Sequence, residues 1–207
     1  MTTIDPTARI EDGAAIGEGT TIGPYCVIGR DAVIGANCKL IAHVHVTGHT
    51  TIGAGCTIYP FASLGGAPQS LGYRGEPTKL EIGDFVFIGG LSAVHQFTRV
   101  GPQVMIGGVC GVRGDIIPYG LVNGQYARLE GLNIVGMRRR KFTRERLASV
   151  RSFYQELFEA PGIFSERLAA VRSLTATDPA IAEILTFIDA GKHRPLCLPS
   201  SGSGSQE

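Results

Sequence analysis

"IGRDAVIGANCKLIAHVHVTGHTTIGAGCTI", residues 28–58, repeats a six-residue unit that begins with an aliphatic residue and often continues with glycine. The unit extends outward in both directions from this stretch. Aliphatic residues occupy positions 4, 10, 16, 22, 28, 34, 40, 46, 52, 58 and 64, and then 82, 88, 94, 100, 106 and 112. A period of six matches neither the α-helix nor the alternating β-strand, so another architecture is required.

This period predicts a triangular parallel β-helix, in which each unit supplies one short strand and one corner. Three units make one coil, and the first and fifth positions of each unit point inward. Glycine at the second position is expected to turn the corner, where a positive φ is cheap only without a Cβ. The fifth position is usually small, as at Ala8, Ala14, Thr20, Cys26, Ala32, Cys38, Thr50, Cys56, Ala62, Ser92, Thr98 and Cys110.

The predicted fold class is therefore mainly β, a left-handed parallel β-helix of hexapeptide repeats followed by a small C-terminal α-helical domain. Ordinary crossovers between parallel strands are right-handed, so the left-handed sense does not follow from the period. It is a known property of hexapeptide-repeat proteins as a family. We assign the β-helix to residues 1–122, with a Gly-, Pro- and Ser-rich loop excursion at 65–81. The interval from 64 to 82 is three units long, so the hexad phase survives the loop.

The helical domain is assigned to residues 123–192 and a disordered tail to 193–207. Three-to-four spacing of apolar residues predicts one helix around 147–158 and a second around Phe164, Leu168, Val171 and Leu174. Asp178 and Pro179 are an N-cap and first-turn pair for a third helix, whose apolar face is Ile181, Ile184, Leu185 and Ile188.

Composition limits the possible function classes. The formal net charge of +1 gives no reason to expect nucleic-acid binding. The chain has no 18-residue apolar run and no secretion-signal pattern, so we expect a soluble cytoplasmic protein without a transmembrane segment. Five cysteines without a CxxC pair indicate neither a zinc site nor a disulfide framework.

Several residues are candidates for a site or an interface. His43, His45 and His49 are a conceivable metal site. An outward column of Tyr25, His43, Phe61 and Phe97 favours a subunit interface instead. His95 replaces a repeat glycine beside Gln96, and it is a corner residue, a polar group in a subunit interface or, with Gln96, a substrate contact. The basic run 137–146 is either a solvated face or a grip on an anionic partner.

Specific segments carry a family resemblance: "YPFASLGGAPQSLGYRGEPTKLEIGD", "GGLSAVHQF" and "GLNIVGMRRRKFTRE", supported by "IDPTARI", "GPYCVIG" and "GHTTIG". Together they resemble the acyltransferases that move an acyl chain from acyl carrier protein to UDP-N-acetylglucosamine at the start of lipid A biosynthesis. The resemblance covers residues 4 to about 190. It implies a homotrimer without cofactor or metal, in which a neutral histidine is the general base and a backbone N–H binds the oxyanion.

Carried over residue by residue, the resemblance implies substrate contacts to the acyl chain, the sugar nucleotide or its phosphates at Gln69, His95, Gln96, Asn133, Arg139 and Arg140. The sequence also departs from the family. Ser70 and Gly72 stand where the family usually has Asp and Lys. About three coils that the family places between Asp84 and Phe85 are absent, and they would contain the general base and the oxyanion donor.

The sequence thus assigns no catalytic residue, and His95 is only a weak substitute for the missing base. Two main interpretations remain open. The chain is an acyltransferase of this family with an internal deletion, or it is a catalytically inactive, shortened scaffold or carrier-protein-binding remnant. A metalloenzyme using the three histidines is a third.

Overall fold

The computed structural model describes residues 1–69, 71–173, 178–191 and 193–200. The N-terminal part is a left-handed parallel β-helix with three sheets. Strands one coil apart pair in parallel, for example Thr3 with Thr21 and Val27 with His45.

The first sheet contains β1 Thr3–Ile4, β4 Thr21–Ile22, β7 Lys39–Leu40, β10 Thr57–Ile58, β13 Phe87–Ile88, β16 Met105–Ile106, β18 Gly120–Asn123 and β19 Arg128–Leu132. The second contains β2 Arg9–Ile10, β5 Val27–Ile28, β8 His45–Val46, β11 Ser63–Leu64, β14 Ala93–Val94 and β17 Gly111–Val112. The third contains β3 Ala15–Ile16, β6 Val33–Ile34, β9 His49–Ile52, β12 Lys79–Ile82 and β15 Arg99–Val100. Corner I leads from the first sheet to the second, corner II from the second to the third, and corner III from the third back to the first.

The inward positions of the repeat form the core, as the sequence predicts. First-position side chains such as Ile28, Ile58 and Ile106 have no exposed surface. The fifth-position Cys26, Cys38, Cys56 and Cys110 are free thiols packed in the same core. An aliphatic side chain that is fully buried contributes about 1.5–3 kcal/mol, so the repeated column is the main source of stability.

The sequence analysis explained glycine at the second position by a positive φ, and this explanation is wrong. Positive φ occurs mostly at the fourth position of the unit, at residues such as Tyr25, His43 and Phe61. Gly35 has no positive φ, but a Cβ there would lie 2.6 Å from the carbonyl carbon of Gly53 in the next coil. Glycine is therefore required at that position because successive coils approach too closely for a side chain.

The β-helix ends in a hairpin before the helices begin. β18 continues the first sheet in parallel with β16, and β19 then pairs antiparallel with β18. Residues 123–132 therefore belong to the sheet, whereas the sequence assignment placed them in the helical domain.

In the described residues four α-helices follow: α1 Ile134–Arg139, α2 Arg144–Tyr154, α3 Phe164–Ser173 and α4 Pro179–Asp189. A π-helical turn, Gln155–Glu159, extends α2. Val150, Phe153 and Leu157 are buried on one face, as their spacing predicts. The Asp178 side chain caps α4 as expected, and Leu174 lies outside the described residues. Within the part of the chain that the structure describes, no helix is both long and apolar enough to cross a membrane.

The prediction of a disordered tail is wrong for residues 195–198. Leu196 forms a parallel bridge with Asp115, and the Cys197 N–H donates to the Asp115 carbonyl oxygen over 2.8 Å. Cys197 is buried. The segment is ordered because Leu196 and Cys197 supply apolar contacts while the backbone extends the end of the β-helix. Residues 201–207 lie outside the described residues.

Candidate functional site

Corner II carries His95, the histidine that replaces a repeat glycine. The N–H of Gly65 donates to the Val94 carbonyl oxygen, and the N–H of His95 donates to the Val112 carbonyl oxygen. Gly65, His95 and Arg113 thus occupy the same place in three successive coils. The loop excursion leaves the β-helix at Gly65 and returns at β12, so the exposed Gln69 belongs to the same corner.

The surroundings of His95 are cationic. Burial of the half-buried imidazole, and then the positive charges of Arg113 and Arg194, lower the pKa of His95 below its usual 6.5. Arg194 arrives from the C-terminal segment and donates from Nη2 to the Gln96 carbonyl oxygen over 3.2 Å. The imidazole is therefore neutral at pH 7, the form that a general base requires.

Orientation of that imidazole is a separate requirement for a base. In the described part of the chain, no side chain forms a hydrogen bond to the His95 ring. Gln96 is buried beside it, with an exposed fraction of 7%. The sequence analysis missed Arg113, although it stands one coil after His95 at the same second position of the unit.

Corner III holds the remaining predicted contacts. The Asn133 side chain caps α1 by accepting from the Gly136 N–H over 2.9 Å, and its Nδ2 donates to the Gln103 carbonyl oxygen over 2.8 Å. The Arg140 guanidinium lies over the Phe85 ring. Arg139 is exposed at the end of α1. This corner anchors the first helix to the β-helix and presents cations beside it.

The structure does not bring all the predicted contacts together within one chain. Gln69, His95 and Gln96 belong to corner II, whereas Asn133, Arg139 and Arg140 belong to corner III. Two corners of a triangular prism point in different directions. A single ligand therefore reaches both sets only if two subunits contribute to one site.

The basic run is divided between structural and free cations. Arg146 forms an ion pair with Asp178, with 2.7 Å between Nε and Oδ2, and it also lies over the Phe142 ring. Arg138 and Arg144 line an open cavity of about 490 Å³ with Phe142 and Leu147. Fewer guanidinium groups are thus free to bind an anion than the sequence suggests.

The three candidate metal ligands do not converge. His43 lies at corner I, His45 on the outer face of the second sheet and His49 at the start of β9 in the third sheet. Among the described residues, no group of three His, Cys, Asp or Glu side chains is placed to hold a metal ion. The alternative of a metalloenzyme built on these histidines is therefore not supported by the geometry.

The outward aromatic column exists, but one of its predicted members is wrong. Tyr25 stacks on His43 with 5.0 Å between ring centroids, and His43 stacks on Phe61 at 4.8 Å. The next coil contributes Leu91, which is 63% exposed. Phe97 lies at corner II instead, because the loop fills a single corner with three units of sequence. The coil that contains the loop therefore spans 30 residues, as the pairing of Ser63 with Ala93 shows.

Comparison with known proteins agrees with this geometry. Residues 31–66 match the profile of bacterial transferase hexapeptide repeats. Residues 115–197 match the second domain of UDP-N-acetylglucosamine O-acyltransferases. The chain is thus a hexapeptide-repeat transferase by its fold and repeats.

The particular family follows from its relatives. The acyl-(acyl-carrier-protein)–UDP-N-acetylglucosamine O-acyltransferase of Azorhizobium caulinodans is 41% identical, with 100% of this chain and 99% of the relative covered. The enzyme of the same name from Rhizobium johnstonii is 37% identical, with 96% of each covered. The crystal structure of UDP-N-acetylglucosamine O-acyltransferase from Moraxella catarrhalis matches with a TM-score of 0.51 and 28% identity, over 94% of this chain and 99% of that one. This chain belongs to the acyl-(acyl-carrier-protein)–UDP-N-acetylglucosamine O-acyltransferase family.

The same alignment shows that this chain is short for its family. The alignment with the Azorhizobium enzyme runs over 268 positions, whereas the chain has 207 residues. The difference accommodates three coils and a short loop, the length that the sequence analysis finds missing after Asp84. At that junction the coils stack directly: the Phe85 N–H donates to the Ala54 carbonyl oxygen, and the Ala54 N–H donates to Asp84 Oδ1, both over 2.7 Å.

Proposed function

We propose that this chain has the function of its family, the transfer of a 3-hydroxyacyl chain from acyl carrier protein to the 3-hydroxyl of UDP-N-acetylglucosamine. This is the first step of lipid A biosynthesis, and we place it in the cytoplasm. The observation that carries the proposal is the 41% identity that extends over the whole chain. In the reaction the hydroxyl oxygen bonds to the thioester carbon, the C–S bond breaks, and the thiol leaves with the proton.

A homotrimer is part of this proposal. The two sets of predicted contacts lie on different corners, and the stacked column at corner I leaves aromatic and aliphatic surface in water. Both observations are accounted for by an assembly in which corner I of each subunit points to the threefold axis, so that corner II of one subunit faces corner III of its neighbour. Gln69, His95 and Gln96 of one subunit and Asn133, Arg139 and Arg140 of another then line one cleft.

We assign the anionic substrates to the free cations around α1. Arg139 is exposed beside the Asn133 cap, and Arg138 and Arg144 line the neighbouring cavity. Guanidinium groups suit phosphate oxygens and carboxylates because their planar forks make paired hydrogen bonds. The sugar nucleotide carries a diphosphate and the carrier protein is acidic, so both complement this surface.

Binding measurements test that assignment. Affinity for UDP-N-acetylglucosamine and for acyl carrier protein should fall as salt rises, since screening acts over about 8 Å at physiological ionic strength. Arg139→Ala should weaken binding, whereas the matched change Arg151→Ala on the exposed side of α2 should not. If salt and Arg139→Ala both leave the affinities unchanged, the basic run is only a solvated face.

The direct stacking of coils at Asp84 and Phe85 favours a second candidate function, substrate or carrier-protein binding without turnover. Pairing of Ile58 with Ile88 across the junction leaves no space for the coils of the longer family members. A transfer assay with both substrates separates the two candidates. Acyl-sugar product supports the first, and binding without product supports the second.

A further inference from the structure

Phe85 and Arg140 form a contact at corner III that the proposed function leaves unexplained. The Arg140 Cζ lies 3.2 Å from the centroid of the Phe85 ring, so the guanidinium lies over the face of that ring. A Cβ at Gly55, one coil earlier, would lie 2.3 Å from Phe85 Cδ1, so the ring occupies the space of the absent side chain. The Phe85 ring is therefore packed against the backbone of the previous coil as well as against Arg140.

Helix α1 is tied to two successive coils by its two ends. At its N-terminus, Asn133 Nδ2 donates to the Gln103 carbonyl oxygen over 2.8 Å. At its C-terminus the capping residue, Arg140, lies on Phe85. The two coils are adjacent, since the Gln103 N–H donates to the Asp84 carbonyl oxygen over 2.7 Å. Because α1 has only six residues, contacts at both of its ends fix its direction on the β-helix.

Arg140 differs from two other arginines that lie over aromatic rings. Arg99 and Arg146 each also pair with a buried carboxylate, that of Asp115 and that of Asp178 respectively. In the part of the chain that the structure describes, no acidic side chain pairs with Arg140. A stacked guanidinium places its face on the ring and leaves the N–H groups in its plane available to a ligand. The Arg140 fork is therefore oriented and free to bind oxygen atoms.

We propose that Phe85 is a positioning residue, which holds the Arg140 guanidinium in the orientation that binds phosphate oxygens of the sugar nucleotide. The inference rests on the proposed function, in which Arg140 is one of the substrate contacts. An arginine on a surface samples many side-chain conformations, and holding it in one of them removes part of the entropy cost of binding. A ring does this without the charge of a carboxylate, which would compete with the phosphate for the same N–H groups.

Titration calorimetry with UDP-N-acetylglucosamine tests the stack through substitutions of the ring. Phe85→Leu keeps an apolar side chain but removes the aromatic face, and it should weaken binding about fivefold. Phe85→Tyr and Phe85→Trp keep such a face and should bind within about twofold of the wild type. Phe187→Leu, which removes the ring that Arg99 lies over, is the matched control. It should leave the affinity unchanged, because Arg99 keeps its pair with Asp115.

A double-mutant cycle shows whether Phe85 acts through Arg140. Arg140→Ala should weaken binding by itself, and adding Phe85→Leu to it should then have little further effect. Circular dichroism and thermal unfolding of each variant confirm that the β-helix is intact. Equal affinities of wild type and Phe85→Leu, or a Phe85→Leu loss that persists in full in the Arg140→Ala background, would overturn the proposal.

Proton NMR detects the stack in the absence of a ligand. An aromatic ring shields protons that lie over its face, so the Hδ protons of Arg140 should resonate upfield in the wild type. The Arg140→Ala variant identifies these resonances. The upfield shift should disappear in Phe85→Leu and remain in Phe85→Tyr. Unshifted Arg140 protons in the wild type would contradict the proposal.

Turnover assays distinguish a failure of this inference from a failure of the proposed function. A chain that binds UDP-N-acetylglucosamine through Phe85 and Arg140 but forms no acyl-sugar product rejects the proposed function alone. A chain that forms product, and whose Phe85→Leu variant keeps the wild-type KM for the sugar nucleotide, rejects the inference alone. A wild type to which UDP-N-acetylglucosamine does not bind rejects both.

Discussion

Asp178 makes two stabilising interactions, a helix cap and an ion pair, and its sequence context predicts only the cap. Its Oδ1 accepts from the Ala180 N–H and caps α4, which the pair Asp178 and Pro179 predicts. Both carboxylate oxygens also accept from Arg146, in α2. That second task could not be predicted, because it depends on how two helices distant in sequence pack.

Substitutions at this residue should separate the cap from the ion pair. Asp178→Asn keeps an N-cap side chain and should lower the free energy of unfolding by about 1 kcal/mol at pH 7. Asp178→Ala removes both tasks and should lower it by about 2 kcal/mol. Urea unfolding measures both. Equal losses in the two variants would show that the Arg146 pair and not the cap is the stabilising contact.

The pH dependence of the ion pair has a definite sign. The hydrogen bonds from Arg146 lower the pKa of Asp178 below its usual 3.8, against the opposing effect of burial. A carboxyl group whose pKa is lower in the folded state stabilises the protein at any pH above its unfolded-state pKa. This contribution is lost as the pH falls through the folded-state pKa. The stability difference between wild type and Asp178→Asn should therefore be constant near neutrality and shrink below pH 3.8.

Among the structural elements, the coil of the β-helix is the one that the sequence predicts best. Two of its details, the reason for glycine and the corner that Phe97 occupies, were not predicted. The period, the phase and the inward positions of the repeat follow from the sequence because every coil buries the same positions of the unit. The reason for glycine did not follow, since backbone separation between coils is a three-dimensional quantity. The position of Phe97 was also missed, because hexad phase alone does not state which corner a residue occupies after the loop.

The third sheet leads into corner III through second-position glycines in every coil, namely Gly17, Gly35, Gly53, Gly83 and Gly101. Gly35→Ala should lower stability by about 1–3 kcal/mol or more, because its Cβ would overlap the backbone of Gly53. Gly66→Ala is the matched control, since a Cβ there has nothing within 4 Å. Thermal unfolding of the two variants compares them. A Gly35→Ala protein as stable as the control would show that coil spacing does not demand glycine.

The whole molecule presents an apolar column that one chain cannot cover. Tyr25, Phe61, Leu91 and Val109 are each more than half exposed along corner I. We expect a trimer in solution by light scattering. Phe61→Glu should dissociate it by placing a charge in the interface, whereas Ile163→Glu, at an exposed apolar residue before α3, should not. A wild-type monomer at micromolar concentration would contradict the assembly and the shared cleft together.

The division of the site between corners also belongs to this scale, and the sequence could not predict it. Family motifs identify Gln69, His95 and Asn133 one at a time but not the directions in which they face. The positive charges near His95 could not be predicted either, because they depend on three-dimensional placement. Arg194 follows almost one hundred residues later in the chain, and it reaches corner II only because residues 195–198 extend the β-helix.

The missing coils should be most evident in turnover. We expect transfer between acyl carrier protein and UDP-N-acetylglucosamine to be slower than in a full-length relative by at least the 10² to 10⁴ that a positioned base typically supplies. Loss of the oxyanion donor typically removes a further factor of about 10² to 10³. His95 is neutral at pH 7, but no side chain in the described ranges orients its ring, so it meets one requirement of a base and lacks another. Single-turnover assays of the wild type, His95→Ala and the Azorhizobium enzyme measure this. A wild-type rate within about tenfold of the relative, abolished by His95→Ala, would instead make His95 the general base.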